Sequence, residues 1–457
     1  MTICGVLLSI VLLALRLWWG DTARRRLDAE ITAAQSRGEP VLIDDFNTAD
    51  ADRPPDAQNA AVQFSAAAAA INYNAAQTGF DNRYDSDKAL SDTDRKLLDG
   101  LISANARTLA LSRAAADLPQ ANWGLKLRSP LINVLLPALN WQRGLANMLR
   151  YAAIDHHLNG NDAQTVEDLR DIFREADVAE QYGPFIITHR VAIGINALGA
   201  DSVTRIAGNL NIGPNGASRA AVQRLIAQIA GDREYRAAGE RSWYGERIIA
   251  VDAGASGTLA MLRARINIFW PLEPMLTLDQ TRIFGFDTAI AHALREPTFS
   301  AASAKLPTVV PNGTGSLLYT VAHVYTRLFM PSVNRSVLTH YRGLTERRAA
   351  AVLLAIRLYQ VDHGAAPENL DLLVPAYLPA VPIDPFSTGA QPLRYIAKPG
   401  SEAVYSVGED GHDDGGSTKL LRAISGRTPG PWDTIDAVFP LHPAPLLPPA
   451  TEPVSGN

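Results

Sequence analysis

An acidic loop near the end of the chain holds the densest group of side chains that could do chemistry. Residues 408–416 read GEDGHDDGG, so Asp410, Asp413 and Asp414 stand among glycines. The spacing is not that of an EF-hand, because the twelfth position counted from Asp410 is Leu421 instead of a glutamate. On its residues alone, the loop is either a site for a hard cation or an Asp/Gly-rich surface turn without a metal.

Two other groups of polar residues occur at close spacing. His156 and His157 are adjacent, and neighbouring residues on a helix point about 100° apart, so one metal ion cannot easily bind both. We therefore favour a core or surface pair over a metal or acid/base site. Charged and aromatic residues alternate over Glu240–Arg247, which indicates an ion-paired helix surface more than a binding groove.

Several chemical classes lack any motif in this chain. There is no His-Glu-x-x-His, Gly-x-Ser-x-Gly, Walker-type or Gly-x-Gly-x-x-Gly sequence, so zinc peptidases, serine hydrolases and nucleotide-binding loops have no support. The single cysteine, Cys4, excludes an intramolecular disulfide and a thiolate metal site. A net charge of -5 gives no reason to expect a nucleic-acid partner.

A helix and two strands are predicted to position the acidic loop. The helix ends near Gly364, because apolar residues recur before it at helical spacing, at Val352, Leu353, Ile356 and Tyr359. Five prolines between positions 367 and 385 then break the chain, with one short helix over Glu368–Val374. The runs Leu393–Ile396 and Ala403–Val407 suit two paired strands.

A series of short motifs runs through this region in a fixed order. The helix ends in a spaced set, Ile356, Tyr359, Asp362, Gly364 and Pro367. Four motifs follow it, at Leu373–Leu378, Pro382–Phe386, Pro392–Tyr395 and Tyr405–Gly411. This order resembles the major pseudopilin of type II secretion systems over about residues 335–440. The resemblance implies a small α+β module, which here follows a large body instead of opening the chain.

The same resemblance implies calcium as a cofactor. Pseudopilins of this family often bind calcium in the corresponding loop through carboxylates and backbone carbonyls. Asp410 matches the aspartate of the family's x-Asp-Gly turn, and Asp413, Asp414 or Asp436 matches the second carboxylate. These four residues are the predicted metal ligands, and the metal-free surface turn stays as the alternative.

The N-terminus predicts a single membrane span. Ile3–Trp19 is an apolar run whose only charge is Arg16, and as a helix it is about 26 Å long. Arg16 can extend to the lipid headgroups, and Trp18 and Trp19 suit the membrane interface. We favour an anchor in contact with lipid over a cleaved signal peptide, because no basic segment precedes the apolar run.

The orientation of the anchor has conflicting indications. Arg24–Arg26 follow the span, and the positive-inside rule would then place the body in the cytoplasm. The resemblance at the C-terminus implies an exported module instead. We expect a single-pass protein of the inner membrane with its body in the periplasm.

The middle of the chain predicts a bundle of helical hairpins. Ser91 and Asp94 form a capping-box pattern, Thr165 and Asp168 form another, and Val222–Ile229 has one apolar face. The fold class is therefore mainly α, with the α+β module at the end. The predicted units are an anchor (1–20), a helix extension and linker (21–58), a helical body (59–298), a connection and helix (299–332), the pseudopilin-like module (333–440) and a disordered proline-rich tail (441–457).

These features predict a membrane-anchored structural or interaction protein of the bacterial cell envelope, without enzymatic activity, and the resemblance implies a role related to secretion. The alternatives are an envelope enzyme, such as a hydrolase, with a cleft in the helical body, and a calcium-stabilised binding module. Acidic or histidine side chains that converge in a concave pocket would favour the enzyme.

Overall fold

In the described part of the chain, the helices pack around two large apolar cores and three smaller ones. The computed structural model describes residues 2–49, 52–72, 80, 88–255, 273–307, 323, 326, 333–424 and 428–447. In chain order, its named α-helices are α1 (Thr2–Ser36), α2 (Ala60–Ala69), α3 (Asp92–Ala104), α4 (Ala106–Ala116), α5 (Ala138–Leu158), α6 (Asp162–Ala179), α7 (Ile186–Ile206), α8 (Arg219–Ala230), α9 (Arg233–Ala255), α10 (Glu273–Ala293), α11 (Phe299–Ser303) and α12 (Val333–His363). The prediction of a mainly helical protein is confirmed.

A small antiparallel sheet lies near the C-terminus. Its strands are β1 (Arg394–Ile396), β2 (Ala403–Ser406) and β3 (Ala437–Pro440), in the order β1-β2-β3. β1 and β2 confirm the two predicted strands, whereas β3 was not predicted. The sheet packs on α12 through Val404 and Phe439, which belong to the same apolar core as the body.

α1 is long and apolar enough to cross a membrane, and its residues from Cys4 to Leu17 are exposed, apart from Arg16. The second half of α1 packs along α10. Arg16 pairs with Glu273 at 3.0 Å at one end of this contact, and Ala34 packs against Phe284 at the other. The apolar N-terminal helix, which is either a membrane span or a signal sequence, thus continues into the body.

α12 joins the body to the C-terminal module. Its residues from Ala349 to Ile356 are fully or almost fully buried, because α7 and α8 pack on one side and β2 on another. Arg348 donates to Asp232 of the body at 3.0 Å and to the carbonyl of Ile383 in the module at 2.7 Å. The module is therefore continuous with the body.

Local signals predicted some helix ends and missed others. Ser91 and Asp94 form the predicted capping box of α3, and the apolar face of Val222–Ile229 is buried in α8. The predicted start at Thr165 is wrong, because Asn161 caps α6 four residues earlier and accepts the Gln164 N–H. Thr165 instead donates to the carbonyls of Ala153 and Asn161 from inside the helix.

Two segments that we predicted as irregular are fixed by contacts. The linker over residues 39–58 docks on the body, where Glu39 and Val41 are buried. The proline-rich tail starts with a buried Leu441, and the carbonyl of Leu446 accepts the Leu90 N–H at 2.8 Å. The predicted helix over Glu368–Val374 is a 3-10 turn, Leu370–Leu373. Most of the predicted connection and helix over 299–332 lies outside the described residues, which there are 299–307, His323 and Thr326, and so does the predicted tail beyond 447.

Candidate functional site

A groove of about 750 Å³ lies between the helical body and the C-terminal module. We call it the module groove. One wall is a face of α7 with Ala197, Ala200, Asp201, Thr204 and Arg205. Because alanine side chains are short, this wall is shallow along part of its length. The opposite wall belongs to β3 and to the loops around it.

The module side of the groove is mostly apolar. Val438 and Phe439 of β3 line it together with Leu420, which is 39% exposed. Prolines supply much of the rest, at Pro429, Pro431, Pro440 and Pro443. Prolines have fixed φ angles and no N–H donor, so they make a rigid wall with few hydrogen-bonding groups. Pockets of this size and composition are the usual binding sites of proteins.

Besides Asp201, a second carboxyl group lines this groove. Glu346 of α12 accepts a hydrogen bond from Nε1 of Trp432 at 2.7 Å. Removal from water raises the pKa of Glu346 to about 7, although the bond from Trp432 lowers it. Arg342 lies over the Trp432 ring at 5.2 Å, and the Phe386 ring lies at 5.2 Å from it on centroids. Trp432 is therefore held where the module meets α12.

A buried aspartate shapes the module beside the groove. Asp384 is fully buried and accepts the N–H groups of Phe386 at 3.0 Å and Val407 at 2.9 Å. It also accepts the hydroxyl of Ser406 at 2.6 Å. These bonds tie the proline-rich loop to the end of β2. The sequence contained its signal, the Pro-x-Asp-Pro-Phe motif, but nothing in that motif indicated that its aspartate was buried.

The predicted calcium ligands lie in one loop region but have protein partners. Asp436 is fully buried and accepts the N–H groups of Gly416 and Ser417, both at 2.8 Å. Asp413 pairs with Arg394 at 2.6 Å.

Asp410 accepts the His412 N–H at 3.0 Å, and Asp414 lies 3.4 Å from the His412 ring. Among the described residues, no three acidic, histidine or cysteine side chains form a metal-binding group. Calcium binding by these four aspartates stays a prediction.

A second cavity, of about 370 Å³, lies in the helical body. We call it the polar cavity. Side chains from α6, α7, α9 and the turn after α6 line it, at Arg174, Asp177, Glu180, Gln181, Asn196, Glu234, Tyr235 and Arg241. Burial raises the pKa of Asp177 to about 6. This is the convergence of acidic side chains that we named as the mark of an enzyme.

A chain of hydrogen bonds leads from the polar cavity into the core. Nδ1 of His189 lies 2.8 Å from Oε1 of Glu180, and Nε2 of His189 lies 2.9 Å from Nδ1 of His340. Burial lowers the pKa of His340 well below its usual value, and the neighbouring His189 lowers it further. Gly239 gives these rings space, since a Cβ there would lie 2.7 Å from Cε1 of His340. None of these residues had a local sequence signal.

The charged patch over Glu240–Arg247 is the predicted ion-paired surface only at Glu240, which pairs with the exposed Arg295. Arg247 is fully buried and donates to Glu39 at 2.9 Å and to Thr288 at 2.8 Å. Burial raises the pKa of Glu39, but hydrogen bonds from Arg37, Arg247 and His292 lower it further, to about 2. The Arg247 end of the patch is thus a buried ionic cluster that docks the segment after α1.

The adjacent histidines face different partners, as the helix geometry predicted. Nδ1 of His156 lies 2.5 Å from Asp168, and Nδ1 of His157 lies 2.6 Å from Asp162. The hydrogen bond with Asp168 raises the pKa of His156. Both pairs join α5 to α6, which supports the structural interpretation.

No protein-family model matches the chain, and neither a curated protein nor a solved structure is similar to it.

Proposed function

We propose that this chain is a membrane-anchored structural or interaction protein of the bacterial cell envelope that holds a partner in the module groove. The observation that carries the proposal is the groove itself, a mainly apolar space of about 750 Å³ between α7 and the module. Its walls are fixed by α12, which runs through both the body and the module. A preformed groove between rigid walls favours binding, since little ordering is needed when the partner enters.

The location of the protein is part of this proposal. α1 anchors it in the inner membrane through residues 3–19, and the body and module lie in the periplasm. The resemblance of the module to pseudopilins supports an exported location and a partner connected with secretion. Reporters that work on only one side of the membrane, fused after Leu441, test this. Activity on the periplasmic side is expected, and activity only in the cytoplasm would contradict it.

A photo-cross-linking residue in the groove tests the presence of a partner. We would introduce it at Thr204 and at Leu420, on opposite walls, and at Ile187 as a control, since Ile187 is on α7 but outside the groove. Both groove positions should give the same adduct in native membranes, and position 187 should not. The adduct would be identified by mass and rebuilt from purified proteins. Equal adducts from all three positions would contradict the proposal.

A variant that fills the groove provides the matched control. Ala197→Trp places a large side chain on the α7 wall, and Ile187→Trp places one on the exposed part of the same helix. The first should abolish the shared adduct and the second should leave it. An adduct that persists in Ala197→Trp would show that the partner lies elsewhere.

One observation favours an enzyme as the second candidate. The polar cavity brings Asp177, Glu180 and Glu234 together, and His189 supports Glu180 from behind. Such a group could move a proton to or from a bound substrate. A panel of chromogenic ester, peptide and glycoside substrates tests this. Turnover that is lost in Glu180→Gln and kept in Glu368→Gln would support an enzyme. Wild-type turnover no higher than that of Glu180→Gln would contradict it.

A further inference from the structure

In the part of the chain that the structure describes, no strand pairs with the outer edge of β3, which faces the module groove. β2 pairs with β3 along one side, from Ala403 with Pro440 to Ser406 with Ala437. On the other side, pairing with the segment before the groove stops at Asp436, whose N–H donates to the carbonyl of Ser417 at 3.2 Å. Val438 is the next residue that points to this side.

The register of the sheet fixes the direction of the Val438 backbone. The Leu441 N–H donates to the carbonyl of Glu402 at 2.8 Å, so the alternating residues Leu441, Phe439 and Ala437 face β2. The N–H and carbonyl of Val438 therefore point away from β2. Since Val438 and Pro440 both line the module groove, this edge borders the groove.

The opposite wall has short side chains, and its one carboxylate is paired. Ala197 and Ala200 present short side chains on α7. The Asp201 carboxylate lies 3.2 Å from Arg150 and 3.1 Å from Arg205, so cations of the protein neutralise it. A segment that enters here meets a backbone edge on one side, and on the other a surface of short side chains with a paired carboxylate.

We propose that the module groove binds an extended peptide segment of a partner protein as an added strand on the outer edge of β3. This inference rests on the proposed function and names the chemistry of the partner. Backbone hydrogen bonds to Val438 give the segment its alignment, and apolar, uncharged side chains fill the groove. Pro440 has no N–H, so the ladder is short and open-ended pairing of edges is prevented.

Peptides selected against the full-length protein in lipid nanodiscs test the inference. A displayed library of random nonapeptides would be selected on the wild-type protein, with the Ala197→Trp protein as the counter-selection. Enriched peptides should have uncharged central residues. Each would then be synthesised with one backbone nitrogen methylated at a time, which removes an N–H and leaves the side chains unchanged.

An added strand has an alternating signature in this scan. Methylation at every second central residue should weaken binding at least tenfold, and methylation at the residues between them should change it less than threefold, because only alternate N–H groups face β3. A selection that enriches no peptide over the Ala197→Trp protein would overturn the inference. Binding that is equally sensitive at every position would also overturn it.

Two variants of β3 identify the edge. Val438→Pro removes the N–H that points away from β2, so no hydrogen bond between β2 and β3 is lost. Val438→Ile keeps this N–H. The first should weaken peptide binding at least tenfold and the second less than threefold. If Val438→Pro does not fold, hydrogen exchange of the Val438 amide in the wild-type protein tests the same point. The bound peptide should slow this exchange at least tenfold.

These results separate the inference from the proposed function. One result is that the groove adduct is lost in Ala197→Trp while peptide binding to Val438→Pro, or exchange of the Val438 amide, is unchanged. That result would overturn strand addition but would still place a partner in the groove. Loss of position-specific adducts altogether would contradict the proposed function as well.

Discussion

Nε1 of Trp432 lies 2.7 Å from Oε1 of Glu346, and this contact joins the C-terminal module to α12 beside the module groove. The two residues are 86 positions apart in the chain. The stability of this interface depends on pH, because the Glu346 carboxyl group beside the apolar groove accepts the hydrogen bond of the Trp432 indole. The pKa of Glu346 makes this connection measurable.

Glu346 should make the protein less stable as the pH rises. Its pKa is about 7 in the folded state against 4.5 as its usual value, so the folded state binds more protons between these values. The free energy of unfolding contributed by this group is highest below about pH 4.5 and falls as the pH rises to about 7, by on the order of 1 to 3 kcal/mol. Denaturation of wild-type and Glu346→Gln proteins at pH 5 and pH 8 tests this.

The fall in the free energy of unfolding from pH 5 to pH 8 should be smaller in Glu346→Gln than in the wild-type protein, because glutamine does not titrate. Glutamine can still accept the Trp432 N–H. Glu368→Gln, at an exposed position of the module, is the control and should keep the wild-type difference. The same pH dependence in Glu346→Gln as in wild type would show that Glu346 does not titrate in this range.

The Glu39–Arg247 pair should be essential for folding stability. Glu39→Gln would leave the buried Arg247 guanidinium without its counter-charge, so we expect a loss of about 3–5 kcal/mol in the free energy of unfolding. The pKa of Glu39 is about 2, so its contribution is present above about pH 4.5 and is lost as the pH falls towards 2. Urea denaturation at pH 7 measures the loss.

A double variant separates the pair from its surroundings. Glu39→Leu with Arg247→Met replaces both charges by apolar side chains and should cost less than the sum of the two single changes. Additive losses would mean that the two groups act independently.

Glu175 should lower the stability of the wild-type protein. It is fully buried in α6, and neither carboxyl oxygen has a hydrogen-bond partner among the described residues. Burial raises its pKa well above 4.5, with a further increase from Asp171. Glu175→Met keeps the side-chain volume and removes the unsatisfied oxygens, so we expect a gain of about 1–3 kcal/mol in the free energy of unfolding. Glu368→Met is the exposed control.

The gain for Glu175→Met should be larger at pH 8 than at pH 5, because the wild-type carboxyl group is harder to keep neutral as the pH rises. A destabilised Glu175→Met protein would mean that the carboxyl group has a favourable partner in solution.

The calcium prediction for Asp410, Asp413, Asp414 and Asp436 has a direct measurement. Calcium that binds only the folded loop raises the melting temperature by mass action, and a chelator reverses the increase. Asp436→Asn should abolish the effect, and Asp371→Asn, outside the loop, should keep it. A melting temperature that neither calcium nor the chelator changes would contradict the prediction.

The sequence predicted those elements whose signals are local. Val222–Ile229 has an apolar face that the core covers, and Gly364 ends α12 with φ at +77°, a conformation that favours glycine. β3 was missed because Ala437–Pro440 has four residues, ends in proline and has no turn next to it that indicates a hairpin with β2.

The candidate sites could not be predicted because their partners are distant in the chain. Arg247 and Glu39 are 208 positions apart, so a pattern over Glu240–Arg247 could only indicate a charged helix. His189 and His340 are 151 positions apart, and the module groove forms between α7 and a module more than 200 positions later. Only the folded chain brings these residues together.

Occupancy of the module groove in the native membrane tests the central claim most directly. Because Cys4 is the only cysteine, Cys4→Ser provides a background for single cysteines at Leu420, in the groove, and at Leu135, which is 81% exposed and outside it. A membrane-impermeant maleimide would label each in spheroplasts and in purified protein. We predict that position 135 reacts equally fast in both, whereas position 420 reacts at least tenfold more slowly in spheroplasts. Equal rates at position 420 in the two preparations would contradict a bound partner, and no labelling at either position in spheroplasts would contradict the periplasmic location.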